Sequence, residues 1–291
     1  MERTVNVALV GSSGYIASFL KKRFATEIFF SNVFSIGRND SPDFILDLEN
    51  PENFDYNQLK KIDFIIFTAA ISGPDLCAKE FDQCWKINVT GTSFFIKQAL
   101  KIGCKVLFFS SDAVFGNDNK TFFDEHSLTN PSTPYGKMKK AIEDEFKNNS
   151  CFKSIRLSYV VSTKDRFTSY CLTCIKENRN AEIFHPFYRN CVTINDVLDS
   201  VCWLLKNWDS FYSFVLNLAG LELVSRVRIA DEINRYFDGK LNYVIKFPSS
   251  SFFENRPMIT QMKSLYLYKN NIISNTNFTD KIRKELEVIQ I

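Results

Sequence analysis

Histidine is nearly absent from the 291-residue chain: His126 and His185 are the only two. His126 sits in the polar loop FFDEHSLTN and is read as solvent-facing, His185 sits in the loop IFHPFYRN, and neither is assigned an acid–base role. Cys171 and Cys174 form a CxxC inside the amphipathic stretch TSYCLTCIKEN. No second Cys/His pair stands at zinc spacing, so packing is the reading and no metal is expected. Long apolar runs are missing too. None reaches the ~18 to 20 residues that a membrane span needs, and the start MERTVNVALVG enters a strand-like segment with no cleavable signal pattern. A cytoplasmic address without a membrane partner is the expectation, and it fits a set of eight cysteines that are mostly reduced and buried. Charge of one sign is lacking: 36 Lys plus Arg face 33 Asp plus Glu, too even a balance to mark a nucleic-acid partner. There is no internal repeat and no low-complexity linker. Glycine (10) and proline (8) are few beside 29 phenylalanines, a bias of composition that spells out no function. With 45% hydrophobic and 24% charged residues, the chain has the makeup of one large or two smaller packed units and is too apolar for disorder.

The first half alternates short apolar runs with amphipathic segments, the sign of a parallel sheet built from strand–helix–strand units. Strands are expected over 5–10, 32–36, 64–68 and 105–110. Between them, Ile16, Phe19, Leu20 and Phe24 recur at helical spacing, as do the apolar residues of 85–100. From about residue 151 the pattern gives a strand at 154–161, then irregular loops, a helix near 195–205 and another near 226–237 capped by Ser225. The fold class is therefore α/β: a Rossmann-type, doubly wound parallel sheet with a smaller C-terminal substrate-binding lobe. Residues 1–160 are assigned to the NAD(P)-binding part and 161–291 mainly to the lobe, with part of the chain returning to the first domain.

Gly11-Ser-Ser13-Gly14-Tyr15-Ile16-Ala17 follows the first strand directly and opens the first helix, the setting in which a glycine-rich element carries meaning. Gly11 permits a tight turn, and Gly14 permits a pyrophosphate to approach N–H groups at a helix N-terminus, where the aligned peptide dipoles favour an anion. Ala17 allows close helix–sheet packing. Ser13, Tyr15 and Ile16 belong to the same cofactor-binding turn. At the end of the second strand stands Gly37-Arg38. There a guanidinium suits adenine stacking and a 2′-phosphate, which favours NADP(H) while leaving NAD(H) possible.

Ser110-Ser111-Asp112-Ala-Val-Phe-Gly ends the fourth strand, where ligands bind in open α/β sheets. Tyr135-Gly-Lys-Met-Lys139 then begins a helix whose apolar positions Met138, Ala141, Ile142 and Phe146 face a core, which places Tyr135 and Lys139 one turn apart on one face.

With these motifs in this order, the sequence resembles the extended short-chain dehydrogenase/reductase family over nearly its whole length. The resemblance also takes in Asp47-Leu48, Thr68-Ala69-Ala70 and Asn88-Val-Thr-Gly-Thr. It implies that Asp47 and Leu48 contact adenine, that Thr68, Ala69 and Ala70 wall the cofactor, and that Asn88 supports the active site. Within the family the sequence is most similar to the dTDP-4-dehydrorhamnose reductase-like group, through GRNDSPDFILDLENP, SSDAVFG and Arg256-Pro257 ahead of residues 263–267. NAD-dependent epimerases stay open, because Arg189-Asn-Cys-Val-Thr-Ile-Asn-Asp196 resembles their Arg-Asp-Tyr-Ile-His-Val-x-Asp segment. Arg189 and Arg256 are accordingly candidate ligands of a substrate diphosphate. Ala113 stands where 4,6-dehydratases carry a glutamate, and Asp112 where fucose-synthase-like enzymes carry a cysteine, so dehydration and C3/C5 epimerisation are disfavoured.

The activity expected is hydride transfer between NAD(P)H and C4 of a nucleotide-linked 4-keto sugar. Tyr135 would protonate the C4 oxygen, Ser111 would hydrogen-bond it, and Lys139 would favour phenolate and hold the nicotinamide ribose. Ser110 lies in the same cofactor-side strand end. A 4-epimerase with retained cofactor and a non-catalytic, cofactor-binding regulatory subunit are the rivals. The oligomeric state is left open, with a homodimer as the candidate.

Overall fold

The computed structural model describes residues 4–38, 41–117 and 122–289. Asn39 and Asp40, which follow Gly37-Arg38, lie outside the described residues.

A seven-stranded, all-parallel sheet runs in the order Val215–Leu218, Phe152–Leu157, Lys105–Ser111, Phe64–Phe67, Val5–Val10, Phe30–Gly37, Phe44–Ile45. The strand order reverses beside Val5–Val10, whose two neighbours continue the chain in opposite directions. That switch point is where a doubly wound sheet opens a crevice for ligands.

Side-chain alternation explains the two layers. Val7, Leu9, Phe64, Ile66, Leu107 and Phe109 point into one core, which also takes Leu20 and Phe24 of the helix Tyr15–Phe24 and Val197 and Val201 of the helix Ile194–Lys206. Ala8, Val10, Ile65, Phe67, Val106 and Phe108 point into the other, against Phe95 and Ile96 of the helix Thr92–Ile102 and Met138, Ile142 and Phe146 of the helix Pro134–Phe146. Strands buried on both faces read as continuous apolar runs, which is why they are legible in the sequence.

The expected strand at 154–161 is two elements. Phe152–Leu157 stays in the sheet, and after two further residues the segment Val160–Val161 leaves it to pair with Val192–Thr193. The expected helical stretch 85–100 is broken by a π-helical turn, Lys86–Gly91, between Phe81–Trp85 and Thr92–Ile102. The strand Val215–Leu218 was not read from the sequence. The helix Arg226–Tyr236 is capped as expected, with Ser225 Oγ accepting from Arg228 N at 3.0 Å.

A third core joins the helices Arg166–Lys176, Arg226–Tyr236 and Phe278–Leu286 in the C-terminal part. Leu267, Ile272 and Ile273 return to the sheet's core. All eight cysteines are free, and all but Cys151 are buried. Among the described residues no helix is long and apolar enough to cross a membrane, and no group of three His, Cys, Asp or Glu side chains is placed to hold a metal ion.

Candidate active site

At the switch point a cavity of about 340 Å³ is walled by Gly11, Ser13, Gly14, Arg38, Asp47 and Leu48, with Thr68, Ala69 and Ala70 on its other side. Gly11 has φ +82°, and a Cβ there would stand 2.8 Å from the backbone of Ala69. Only glycine lets the turn lie this close to the next strand. Gly14 caps the helix Tyr15–Phe24 without a side-chain bond, so the first N–H groups of that helix lack intrahelical acceptors and are available to an anion. The residues present therefore fit a dinucleotide pyrophosphate. Arg38 is exposed on the rim of this cavity. Asp47 accepts from Glu49 N at 3.0 Å and Asn50 Nδ2 at 3.1 Å. These bonds, with Arg38 and Lys86 nearby, hold its pKa below the usual carboxylate value.

Tyr15 and Ile16 do not line this cavity. Both pack against the sheet core on the helix Ile194–Lys206 side. Burial, then the charge of Asp165, pushes the Tyr15 phenol up. Asn88 is also off the wall, but it controls it: its Oδ1 accepts from Ile71 N and its Nδ2 donates to Ile71 O, both at 2.8 Å. The π-helical turn brings this amide inward, a recurrent use of such turns at functional sites.

A second cavity, of about 430 Å³, opens at the carboxyl ends of Lys105–Ser111 and Phe152–Leu157, and Ser110, Ser111 and Tyr135 line it. It starts at Ser72, next to Ile71 of the first cavity. Thr133 Oγ1 accepts from Gly136 N at 3.2 Å and Pro134 follows, an N-terminal cap that starts the helix one residue before Tyr135. A Cβ at Gly136 would stand 2.3 Å from the carbonyl oxygen of Ala113. This close approach sets Tyr135 against the serine turn, a role for Gly136 that the sequence reading missed. Ser111 Oγ donates to Asp112 Oδ1 at 3.1 Å and accepts from Ala113 N at 3.2 Å. Ser110 Oγ is buried with no hydrogen-bond partner among the described residues.

Lys139 does not reach the cavity surface. Its Nζ is buried, donates to Phe109 O at 2.7 Å and lies over the rings of Phe108 and Tyr135 at 4.5 and 5.6 Å. Burial pushes its pKa down to about 7, against the upward pull of Glu143. Burial likewise pushes the Tyr135 phenol up, helped by Cys77 and Asp112. The protein's own packing does not by itself make Lys139 favour phenolate: both groups are desolvated, desolvation favours the neutral forms, and Tyr135 keeps the proton it would donate.

Four arginines, Arg166, Arg189, Arg226 and Arg256, line the same cavity. Arg189 is buried and committed: Nε is ion-paired with Asp112 Oδ2 at 3.1 Å, and its other nitrogens donate to the carbonyls of Tyr188, Met258 and Pro257 at 2.7, 3.3 and 2.6 Å. The sequence offered it as a diphosphate ligand, but three hydrogen bonds to carbonyls and the ion pair with Asp112 hold this guanidinium inside the protein. Arg256 is partly committed, to Asp75 and to Phe252 O at 2.7 Å. Arg226, which the sequence reading did not single out, has its Nε buried and without a partner among the described residues, stacks 4.5 Å over Phe187 and lines the cavity with Arg166. Burial lowers its pKa, and the cations Arg189 and Arg256 add to this. A signal for Arg166 existed in the sequence: it follows Asp165, which caps the helix Arg166–Lys176. His185 does not line this cavity and packs edge-on against Tyr188 and Phe247; His126 is exposed.

The parallel doubly wound sheet, the glycine turn at its switch point and the serine–tyrosine–lysine set place the chain among the extended short-chain dehydrogenase/reductase proteins. It belongs to the family of the RmlD substrate binding domain, whose pattern matches residues 5–291. It is 27% identical over 188 residues to a dTDP-4-dehydrorhamnose reductase of Salmonella typhimurium, covering 63% of this chain and 61% of that one. The chain spans less than two thirds of the length of this and other curated relatives it matches. Among solved structures, the dTDP-4-dehydrorhamnose reductase of Bacillus anthracis in complex with NADP has the same fold (TM-score 0.81, 17% identity, 98% of this chain and 99% of that one). So does the UDP-glucose 4-epimerase of Thermotoga maritima with UDP-glucose (TM-score 0.78, 15% identity, 97% of each).

Proposed function

We propose that this protein is a nucleotide-sugar reductase, transferring a hydride between NADP(H) and C4 of a nucleotide-linked 4-keto sugar. The observation that carries the reading is the second cavity: Ser111 and Tyr135 line it together with Arg166, Arg226 and Arg256, beside the glycine-turn cavity. An oxygen placed between the two hydroxyls meets a phenol held protonated by burial. The arginines suit a dianionic diphosphate through charge-assisted hydrogen bonds.

NADP(H), held by Gly11, Ser13, Gly14, Arg38, Asp47 and Leu48, supplies the hydride. Thr68, Ala69 and Ala70 wall it, and Asn88 fixes that wall through Ile71. In the reducing direction Tyr135 donates its proton to the C4 oxygen while Ser111 hydrogen-bonds and orients it. Once Tyr135 has given its proton away, the phenolate left beside Lys139 favours the charged form of that amine, and the ammonium stabilises the phenolate until a proton from solvent restores the phenol. In this reading residues 1–160 hold the dinucleotide and residues 161–291 mainly the sugar nucleotide, with Ile194–Lys206 and Val215–Leu218 returning to the sheet. A cytoplasmic homodimer completes it, and sedimentation velocity checks the dimer.

The test is NADPH oxidation with a panel of nucleotide-linked 4-keto sugars, beside identification of the cofactor released on denaturation. Exchangeable NADPH with turnover supports the reductase. Tightly retained NAD with interconversion of C4 epimers makes the protein an epimerase instead, and cofactor binding without turnover of either kind leaves only the regulatory role.

A further inference from the structure

The carboxylate next to the catalytic serine is tied to the substrate lobe. Asp112 and Arg189 are each 8% exposed, and they come from different parts of the fold: Asp112 from the turn that ends a central strand, Arg189 from the short strand Tyr188–Arg189 of a separate four-stranded sheet. One oxygen of Asp112 takes the Ser111 hydroxyl at 3.1 Å and the other faces Arg189 Nε at 3.1 Å. From the same guanidinium, bonds run to the carbonyls of Pro257 and Met258, the residues that follow Arg256 on the cavity wall.

We infer that Asp112 and Arg189 are positioning residues, a buried pair that ties the lobe segment 256–258 to the hydroxyl of Ser111, and that Arg189 is not a ligand of the substrate diphosphate. This inference rests on the reductase reading of the site.

Three considerations carry it. Burial works against the charged form of Asp112, and the Arg189 guanidinium 3.1 Å away is the main influence that favours it; a buried carboxylate stripped of such a partner is strongly destabilised, so whatever anionic character Asp112 keeps beside Ser111 depends on Arg189. A serine has one O–H to give; with its oxygen pinned by Ala113 N and its proton turned to Asp112, Ser111 holds one rotamer until a substrate oxygen competes for that proton. The substrate's charge, finally, has a different receiver. Arg189 and Arg226 stack on the same Phe187 ring at 4.6 and 4.5 Å, but it is Arg226 whose Nε has no partner among the described residues. The two arginines divide the work, one spent on the protein and one left for the ligand.

A double-mutant cycle of Asp112→Asn and Arg189→Gln, with Arg189→Lys as the conservative variant, tests this on the full chain. kcat and KM are measured with NADPH and a dTDP-linked 4-keto sugar, dTDP affinity by calorimetry, and folding by near-ultraviolet circular dichroism. Each single variant is expected to lower kcat by ~10-fold or more while KM and dTDP affinity stay within ~3-fold. The double variant should be no slower than the slower single, and Arg189→Lys should recover part of kcat. Should Arg189→Gln fail to fold, Arg189→Lys alone decides, through the same split between kcat and KM. A weakening of dTDP by ~10-fold with kcat kept, an unchanged kcat in both singles, or effects that multiply in the double variant overturns the inference. A wild-type protein that binds NADPH and dTDP but turns nothing over fails the reductase reading itself, whereas an active wild type with any of those variant patterns fails this inference alone.

Discussion

Lys139→Met removes a fully buried titratable amine, and the effect on stability depends on pH in a way the structure fixes. The Nζ of Lys139 has one carbonyl acceptor, Phe109 O, and two ring faces, and its pKa falls from an ordinary 10.5 to about 7. Below pH 7 the folded and unfolded chains both carry the proton, and the fold bears the full cost of a buried ammonium. Between about 7 and 10.5 the folded chain has shed the proton while the unfolded chain keeps it, so that cost shrinks as pH rises. From pH 6 to pH 9 the linkage amounts to about 2 to 3 kcal/mol of added stability for the wild type. Lys139→Met lacks it. The nearest thiol, Cys77, is pushed up to about 12, and the Tyr135 phenol is pushed up as well, so neither titrates in this window. Urea denaturation of both proteins without cofactor, at pH 6, 7, 8 and 9, measures the difference directly. Parallel stability curves would show that Lys139 stays charged throughout, and with it would go the account of a neutral Lys139–Tyr135 pair in the resting site.

Tyr135→Phe should lower kcat by ~100-fold or more and leave NADPH affinity nearly unchanged, because it removes the proton donor and little else; stopped assays beside cofactor titration check it. Arg38→Ala should weaken NADP(H) by about 2 kcal/mol, the scale of a hydrogen bond to a charged group, and change NAD(H) much less; equal losses by calorimetry would remove the 2′-phosphate role. Arg226→Gln should raise KM for the sugar nucleotide by ~10-fold or more at nearly constant kcat, since the diphosphate is remote from C4 and its contacts are alike in ground and transition states; steady-state kinetics decide it.

The two-faced strands and the glycine turn were legible because both are local. Alternating burial writes itself into runs such as Phe64–Phe67, and a turn that needs positive φ selects Gly11 at the spot. Two-residue strands such as Phe44–Ile45 and Val192–Thr193 escape because they carry too few residues for any period to show. The reacting groups were legible as a spacing, Tyr135 to Lys139, but their charge states were not, since burial is a property of the packed molecule: nothing in YGKMK says that Phe108 closes over the ammonium. The arginines show the same division. Arg189 stood out by its motif and proves to be held by Asp112 and backbone carbonyls, whereas Arg226 opens an ordinary helix and gains its place only through Phe187, a residue distant in sequence.

The π-helical turn Lys86–Gly91 also sets how this chain can change length. It aims the Asn88 amide at Ile71 and, three residues on, brings Gly91 so near the next wall that a Cβ would sit 1.8 Å from Leu48 O. Loss of one residue would turn this stretch into an ordinary helix and swing one flank by about 100° relative to the other, so that the amide and the bare backbone could no longer face their two targets together. Surface loops tolerate insertions and deletions; here a regular-looking helix is the place where the count of residues is frozen.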